Sequence, residues 1–125
     1  MTGKDRIILQ KIAGYARETG EYIQGMTFDA FMRDRKTIAA SAFCISQIGE
    51  LAKDVSESAQ SSHPQIPWRS IKGMRNRIVH DYENVDLAVL WGTITKSFPT
   101  LIESIDALLA SEAYSDSALL PENEQ

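Results

Sequence analysis

Two residue types that build many small-protein sites are nearly missing from this chain. Its 125 residues hold one cysteine, Cys44, and two histidines, His63 and His80. One thiol excludes an internal disulfide, and one Cys with two His cannot complete the usual four-ligand zinc site. Cys44 sits in the apolar run Ala42–Ile45, where a free cysteine behaves as a small buried hydrophobe. A chain without disulfides is expected in a reducing compartment, here the cytoplasm. No stretch approaches the ~18 consecutive apolar residues of a bilayer span. The N-terminus has no apolar stretch ahead of a small-residue cleavage site, so neither a membrane segment nor a secretory signal is expected. Gly-rich phosphate loops, internal repeats and convincing strand-type alternation are also missing. Net charge is −4, so the average surface repels nucleic acid, and any chemistry on RNA or DNA must rest on a local cluster of cations.

What the chain does have is helical periodicity. A first helix is expected over roughly 4–24, with Ile7, Ile8, Ile12, Tyr15 and Tyr22 as its apolar stripe and Gly25 as its stop. Thr27 and Asp29 can cap a short turn that carries Phe28, Phe31 and Met32 onto the core. A second helix starts near Asp34 and runs to about Ser56. Its stripe includes Ile38, Ala42, Ile45, Ile48, Leu51, Ala52 and Val55, and its small residues, Gly49 among them, permit close helix contacts. A polar loop with Pro64 and Pro67 follows, then a third helix from Pro67 to about His80. Asp86 is expected to cap a fourth helix through Leu90, Trp91, Phe98 and Ile105, kinked by Pro99. The fold expected is an all-α, up-and-down bundle of four to five helices over residues 1–110, with a polar tail over 111–125.

Charge is concentrated in one place. From Arg69 to Arg77 there are four cations, Arg69, Lys72, Arg75 and Arg77, and no acid. On a helix, Ile71, Met74 and Ile78 fall on one face, and Arg69, Lys72, Asn76 and His80 fall on the opposite one, with Arg75 on the flank. Asn76 and His80 are one turn apart. Histidine can take and return a proton near neutral pH. Arginine offers a fixed fork of donors to phosphate oxygens. Asn76 can bond the histidine or a phosphate. RNA brings its own nucleophile, the 2′-hydroxyl, so a base and a phosphate clamp suffice for internal transesterification, and neither metal nor organic cofactor is expected. Each residue also has a plain reading. His80 can cap helix carbonyls, Arg75 and Arg77 can be solvated charges, and Tyr82 can be a core-edge aromatic. His63 reads as a loop residue, and Trp91 with Phe98 as core or dimer packing.

The string Arg75-Asn76-Arg77-Ile78-Val79-His80-Asp81-Tyr82 resembles the HEPN signature, in which an Arg and a following polar residue are paired with a downstream His. The Tyr two places after the His is similar to the narrower form found in HepT-like toxins. Pro67-Trp68, Gly73-Met74, Glu83 to Asp86, Ile48-Gly49-Glu50 and Asp34 also resemble that family. The resemblance extends from the first helix to about Leu109. It implies a HEPN-like homodimer whose two motifs face each other across a cleft, and a ribonuclease toxin paired with a minimal nucleotidyltransferase antitoxin. Carried over, Arg75 and His80 would be catalytic with Asn76 in support. Arg69, Lys72 and Arg77 would contact RNA phosphates, and Tyr82 would accept AMP from the antitoxin. Glu50 and Asp34 would hold the arginine or the dimer. A different class remains open: a non-catalytic helical module that docks a nucleotidyltransferase, with Arg75 and His80 as contacts.

Overall fold

Thr2 and Asp5 start the first helix. In the computed structural model, the Thr2 hydroxyl accepts from the Asp5 backbone N–H at 3.0 Å, and the Asp5 carboxylate accepts from the Thr2 backbone N–H at 3.2 Å, a reciprocal cap for α1 (Gly3–Tyr22). The backbone is described for residues 1–124 and side chains for residues 1–111. Asp5 is buried, and its carboxylate also accepts from the Ser56 backbone N–H at 2.9 Å and the Ser56 hydroxyl at 2.7 Å. The start of α1 is thereby tied to a segment 51 residues away. Burial alone would raise the Asp5 pKa, but the bonds from Ser56 and Thr2 outweigh it and hold the carboxyl below its ordinary value.

α1 ends ahead of Gly25, which takes φ 79°, a conformation that favours glycine. The short α2 (Phe28–Arg33) is capped by Thr27. It buries Phe31 completely against Trp91, at 5.2 Å between ring centroids, with Phe28 at 6.0 Å. Met32, expected in the core, is exposed instead. Asp34 caps α3 (Arg35–Lys53), accepting from the Thr37 backbone N–H at 3.0 Å. α3 is the centre of the fold. It packs against α1 on one side and α5 (Trp68–Asp81) on the other, and α1 also packs against α7 (Phe98–Glu124). Ile45, Ile48 and Ala52 of α3 are buried among Leu9, Ile12, Ile71 and Ile105 in one continuous core. Each fully buried Ile or Leu there contributes about 1.5–3 kcal/mol.

The architecture is all-α, and every element among the described residues is helical. Several expectations need correction. The buried face of α1 is Ile8, Leu9, Ile12, Ala13 and Ala16, while Ile7 (54% exposed) and Tyr22 (40%) face outward. α1 packs against both α3 and α7, and Ala13 and Ala16 are buried on it as fully as Leu9 and Ile12. The polar loop after α3 contains a helix, α4 (Glu57–Ser62), begun by the Ser56 side chain accepting from Ala59 N–H. Five polar residues with one buried alanine leave no periodicity to read, and the cap carries the helix. The fourth helix is interrupted. α6 (Leu87–Gly92), capped by Asp86, passes through a π turn (Thr93–Ser97) into α7. Pro99 has no N–H to donate, and the wider turn closes just before it, with Phe98 N–H reaching Thr93 O. The polar tail expected over 111–125 lies, beyond Ser111, outside the residues whose side chains are described. Among the described residues no helix is long and apolar enough to cross a membrane.

Candidate functional site

The basic segment forms α5. Pro67 stands at its N-cap, and the Trp68 indole N–H donates to the His63 carbonyl at 3.1 Å, which fixes the entry into the helix. The same carbonyl also accepts from the Ile66 backbone N–H at 3.2 Å, and the His63 N–H donates to the Gln60 carbonyl at 3.3 Å. Trp68, Ile71 and Ile78 bury one side of α5, and Met74 is half-buried beside them.

α5 crosses α3 very closely. A Cβ placed on Gly49 would collide with the Arg75 Cβ, lie 2.8 Å from the Arg75 Cγ and sit 3.1 Å from the Ile71 carbonyl oxygen. The missing side chain at Gly49 therefore sets the helix separation at Arg75. The next residue, Glu50, uses that separation. Its Oε2 is 2.9 Å from Arg75 Nη2, and its Oε1 is 3.6 Å from Lys53. Arg75 also donates from Nη1 to Asn76 Oδ1 at 3.0 Å. Two of the guanidinium's groups are thus fixed, one by the neighbouring helix and one by its own. Arg75 is mostly buried along its stem (side chain 23% exposed), with Glu50 at 49%.

His80 lies one residue before the end of α5 and is exposed, as are Val79 beside it and Asn76 one turn earlier, while Arg69, also exposed, and Lys72, half-buried, lie toward the other end of the helix. The Asp81 carboxylate beside it is engaged by Asn84 Nδ2 at 2.8 Å, a bond that closes the 3-10 turn Tyr82–Asn84. Tyr82, the first residue of that turn, is 44% exposed. The structure therefore brings Arg75, Asn76 and Glu50 into direct contact and leaves His80 and Tyr82 open at the same end of the helix. Arg77 takes another direction. It lines a cleft toward α6 with Asp81, Asn84 and Asp86. Asp34 also stands apart from the arginine. As the α3 cap it holds Thr37 N–H, and that bond keeps its carboxyl below the ordinary carboxylate range. Among the described residues no group of three or more His, Cys, Asp or Glu gathers into a metal-holding cluster.

Sequence reasoning gave no role to two further residues, of which Glu83 appears there only within a stretch that resembles the family. Arg35 and Glu83 line a groove of about 640 Å³ together with Tyr82, Ile38, Ala39, Val85 and Leu87. The groove joins the start of α3 to the turn after α5. No local pattern signals it, because its two walls are more than forty residues apart in sequence.

A family model described as "Ribonuclease HepT-like" matches residues 12–108. A protein of Thermococcus cleftensis described as "Probable ribonuclease HepT" is 34% identical over 93 residues, covering 74% of this chain and 84% of that relative. Two proteins described as "putative RNase" are also similar. One, from Caldanaerobacter subterraneus subsp. tengcongensis, is 30% identical over 92 residues, 74% of this chain and 82% of the relative. The other, from Methanocaldococcus jannaschii, is 28% identical over 110 residues, 87% of this chain and 91% of the relative. No solved structure matches the chain.

Proposed function

The chain belongs to the HepT-like ribonuclease family, and from that premise we propose that it is an endoribonuclease acting as the toxin of a toxin–antitoxin pair. The observation that carries this reading is the Arg75 guanidinium, held by Glu50 and Asn76 midway along the same helix whose C-terminal end leaves His80 exposed. His80 takes the proton of an RNA 2′-hydroxyl. The 2′-oxygen attacks the adjacent phosphorus, the bond to the 5′-oxygen breaks, and the departing oxygen receives a proton. The products are a 2′,3′-cyclic phosphate and a 5′-hydroxyl. Because the nucleophile comes with the substrate, the reaction runs without a metal ion.

Arg75 has five N–H donors. With two engaged by Glu50 and Asn76, about three remain for the phosphate oxygens, in a fork that needs no reorganisation as charge develops. Asn76 keeps its amide N–H groups for phosphate or imidazole. Arg69 and Lys72 extend the positive face along α5 toward flanking phosphates. Arg77, beside Asp81 and Asp86, is left to general electrostatics. A second copy of the chain completes the cleft in a homodimer, so that each motif faces its counterpart.

Tyr82 is the proposed control point. Its hydroxyl displaces pyrophosphate from ATP in the antitoxin's active site and becomes an AMP ester. An added phosphate near His80 and Arg75 repels and blocks the RNA phosphate. The test is incubation of the purified chain with total RNA in EDTA. Cleavage to cyclic phosphate ends by the wild type, lost in His80→Ala, is expected. A wild type that leaves RNA intact would overturn the nuclease and favour the docking module. Co-expression with a minimal nucleotidyltransferase is expected to add adenylyl mass to the wild type and none to Tyr82→Phe.

A further inference from the structure

We propose that the groove between the start of α3 and the turn after α5 seats one nucleotide of the RNA strand beside the phosphate that is cut. The proposal rests on the ribonuclease reading and adds a substrate subsite to it. The groove's volume of about 640 Å³ lies within the ~300–1,000 Å³ typical of small-ligand sites. Its lining supplies the three things a single-stranded nucleotide needs. Tyr82, 44% exposed, offers an aromatic face, and Ile38, Ala39 and Val85 supply an apolar floor. Arg35, exposed in the first turn of α3, makes no ion pair with any described residue and can take a backbone phosphate. Tyr82 follows His80 by two residues, at most ~7 Å of chain. A base on its ring therefore belongs to a nucleotide at or next to the reacting 2′-hydroxyl.

Glu83 sets the selectivity. A carboxylate in the groove repels phosphate but accepts hydrogen bonds from base edges. Guanine presents an imino and an amino hydrogen side by side, a match for both oxygens of one carboxylate. Uracil presents a single N–H. The occupant favoured by Arg35, Tyr82 and Glu83 together is a guanine nucleotide in single-stranded RNA. An AMP ester on Tyr82 would fall in the same groove, so modification would remove the base seat as well as the phosphate site.

The experiment measures binding of 2′-O-methyl RNA octamers, which cannot be cut, identical except for G, A, C or U at one position. Wild type is expected to bind the G octamer most tightly. Ala39→Trp fills the groove from an exposed position that tolerates bulk, and Tyr82→Leu removes the ring. Each is expected to weaken the G octamer about tenfold, within the range base stacking supplies, while Tyr82→Phe binds as wild type. Glu83→Gln is expected to erase the preference for G. Lys36→Ala, the loss of a neighbouring cation outside the groove, leaves binding unchanged. Unaltered octamer binding in Ala39→Trp and Tyr82→Leu, with a wild type that cleaves RNA, overturns the seat and spares the nuclease. A wild type that cleaves nothing, with binding lost in those two variants, overturns the nuclease and with it the placement beside a cut phosphate, and leaves the groove an RNA-binding site only. Saturable 5′-GMP binding lost in the same variants, with octamer binding unmoved, assigns the groove to free nucleotides and overturns the proposal.

Discussion

Glu50 reaches across from α3 to hold the Arg75 guanidinium at 2.9 Å, and the residue before it, Gly49, is what lets the two helices come that close. Position and charge at the arginine are thus set by two consecutive residues of the neighbouring helix. Glu50→Gln keeps a hydrogen-bond acceptor and removes the charge. Glu50 is half exposed, so stability should change by under ~1 kcal/mol. Turnover on RNA should fall about tenfold, the effect of a clamp loosened by roughly 1.4 kcal/mol in the transition state. On the proposed mechanism the drop should appear in kcat more than in KM, because the substitution leaves the flanking cations in place. An unaltered kcat beside a normal melting curve would reduce Glu50 to surface charge.

Gly49 and Gly14 make a matched pair of glycine tests. A methyl group on Gly14 meets nothing within 4 Å, whereas one on Gly49 collides with Arg75. Gly14→Ala should stabilise the chain by about 0.4–1 kcal/mol through a less flexible unfolded state. Gly49→Ala should cost about 1–3 kcal/mol, the usual penalty of overpacking, and displace the guanidinium as well. Urea denaturation of both variants checks the sign. Equal effects at the two positions would mean that α5 does not depend on the close approach.

Asp5 predicts a particular acid sensitivity. Its folded-state pKa is lowered by bonds from Ser56 and Thr2 that outweigh burial. A lowered carboxyl pKa adds stability that is fully present above the unfolded value of about 3.9, and that stability is lost as pH falls through the folded value. Asp5→Ala also leaves the Ser56 N–H without its acceptor, at a cost of about 1–3 kcal/mol near neutrality. The gap between wild type and variant should be flat from pH 7 to about 5 and shrink below about 4. A gap that widens on acidification would mean that the carboxyl is held in its protonated form.

How much of this was legible before the structure depends on how local each relationship is. Arg75, Asn76 and His80 share one helix, so spacing alone places them, and the signature is readable as a string. The α3 start at Asp34 was readable because a cap is a local contact. The Arg75–Glu50 pair spans 25 positions in sequence and two helices. Periodicity cannot register it, and Glu50 drew notice only through likeness to a family. Ile7 and Met32 misled for a related reason. Hydrophobicity names residues that can bury, while the packing of α7 and α3 decides which of them do. The groove at Arg35, Tyr82 and Glu83 had no sequence signal, since it exists only where two distant turns meet.

Arg75→Lys separates charge from geometry at the centre of the site. The lysine ammonium keeps the positive charge and can still pair with Glu50, but it is a single point on a flexible stem. It cannot hold Glu50 and Asn76 from two separate nitrogens, as Nη2 and Nη1 do now, and still present a planar fork to phosphate. The stem's contact with Gly49 survives, so the fold should persist with a melting temperature near that of wild type. Cleavage should nonetheless fall by at least about tenfold, because a transition state that spreads charge over two oxygens loses one of its donors. Raising the ionic strength should weaken RNA binding equally in both proteins, since the number of charges is the same. Near-normal cleavage by Arg75→Lys would show that the site needs only a cation there, and the Glu50 and Asn76 contacts would then hold a charge in place and nothing more specific.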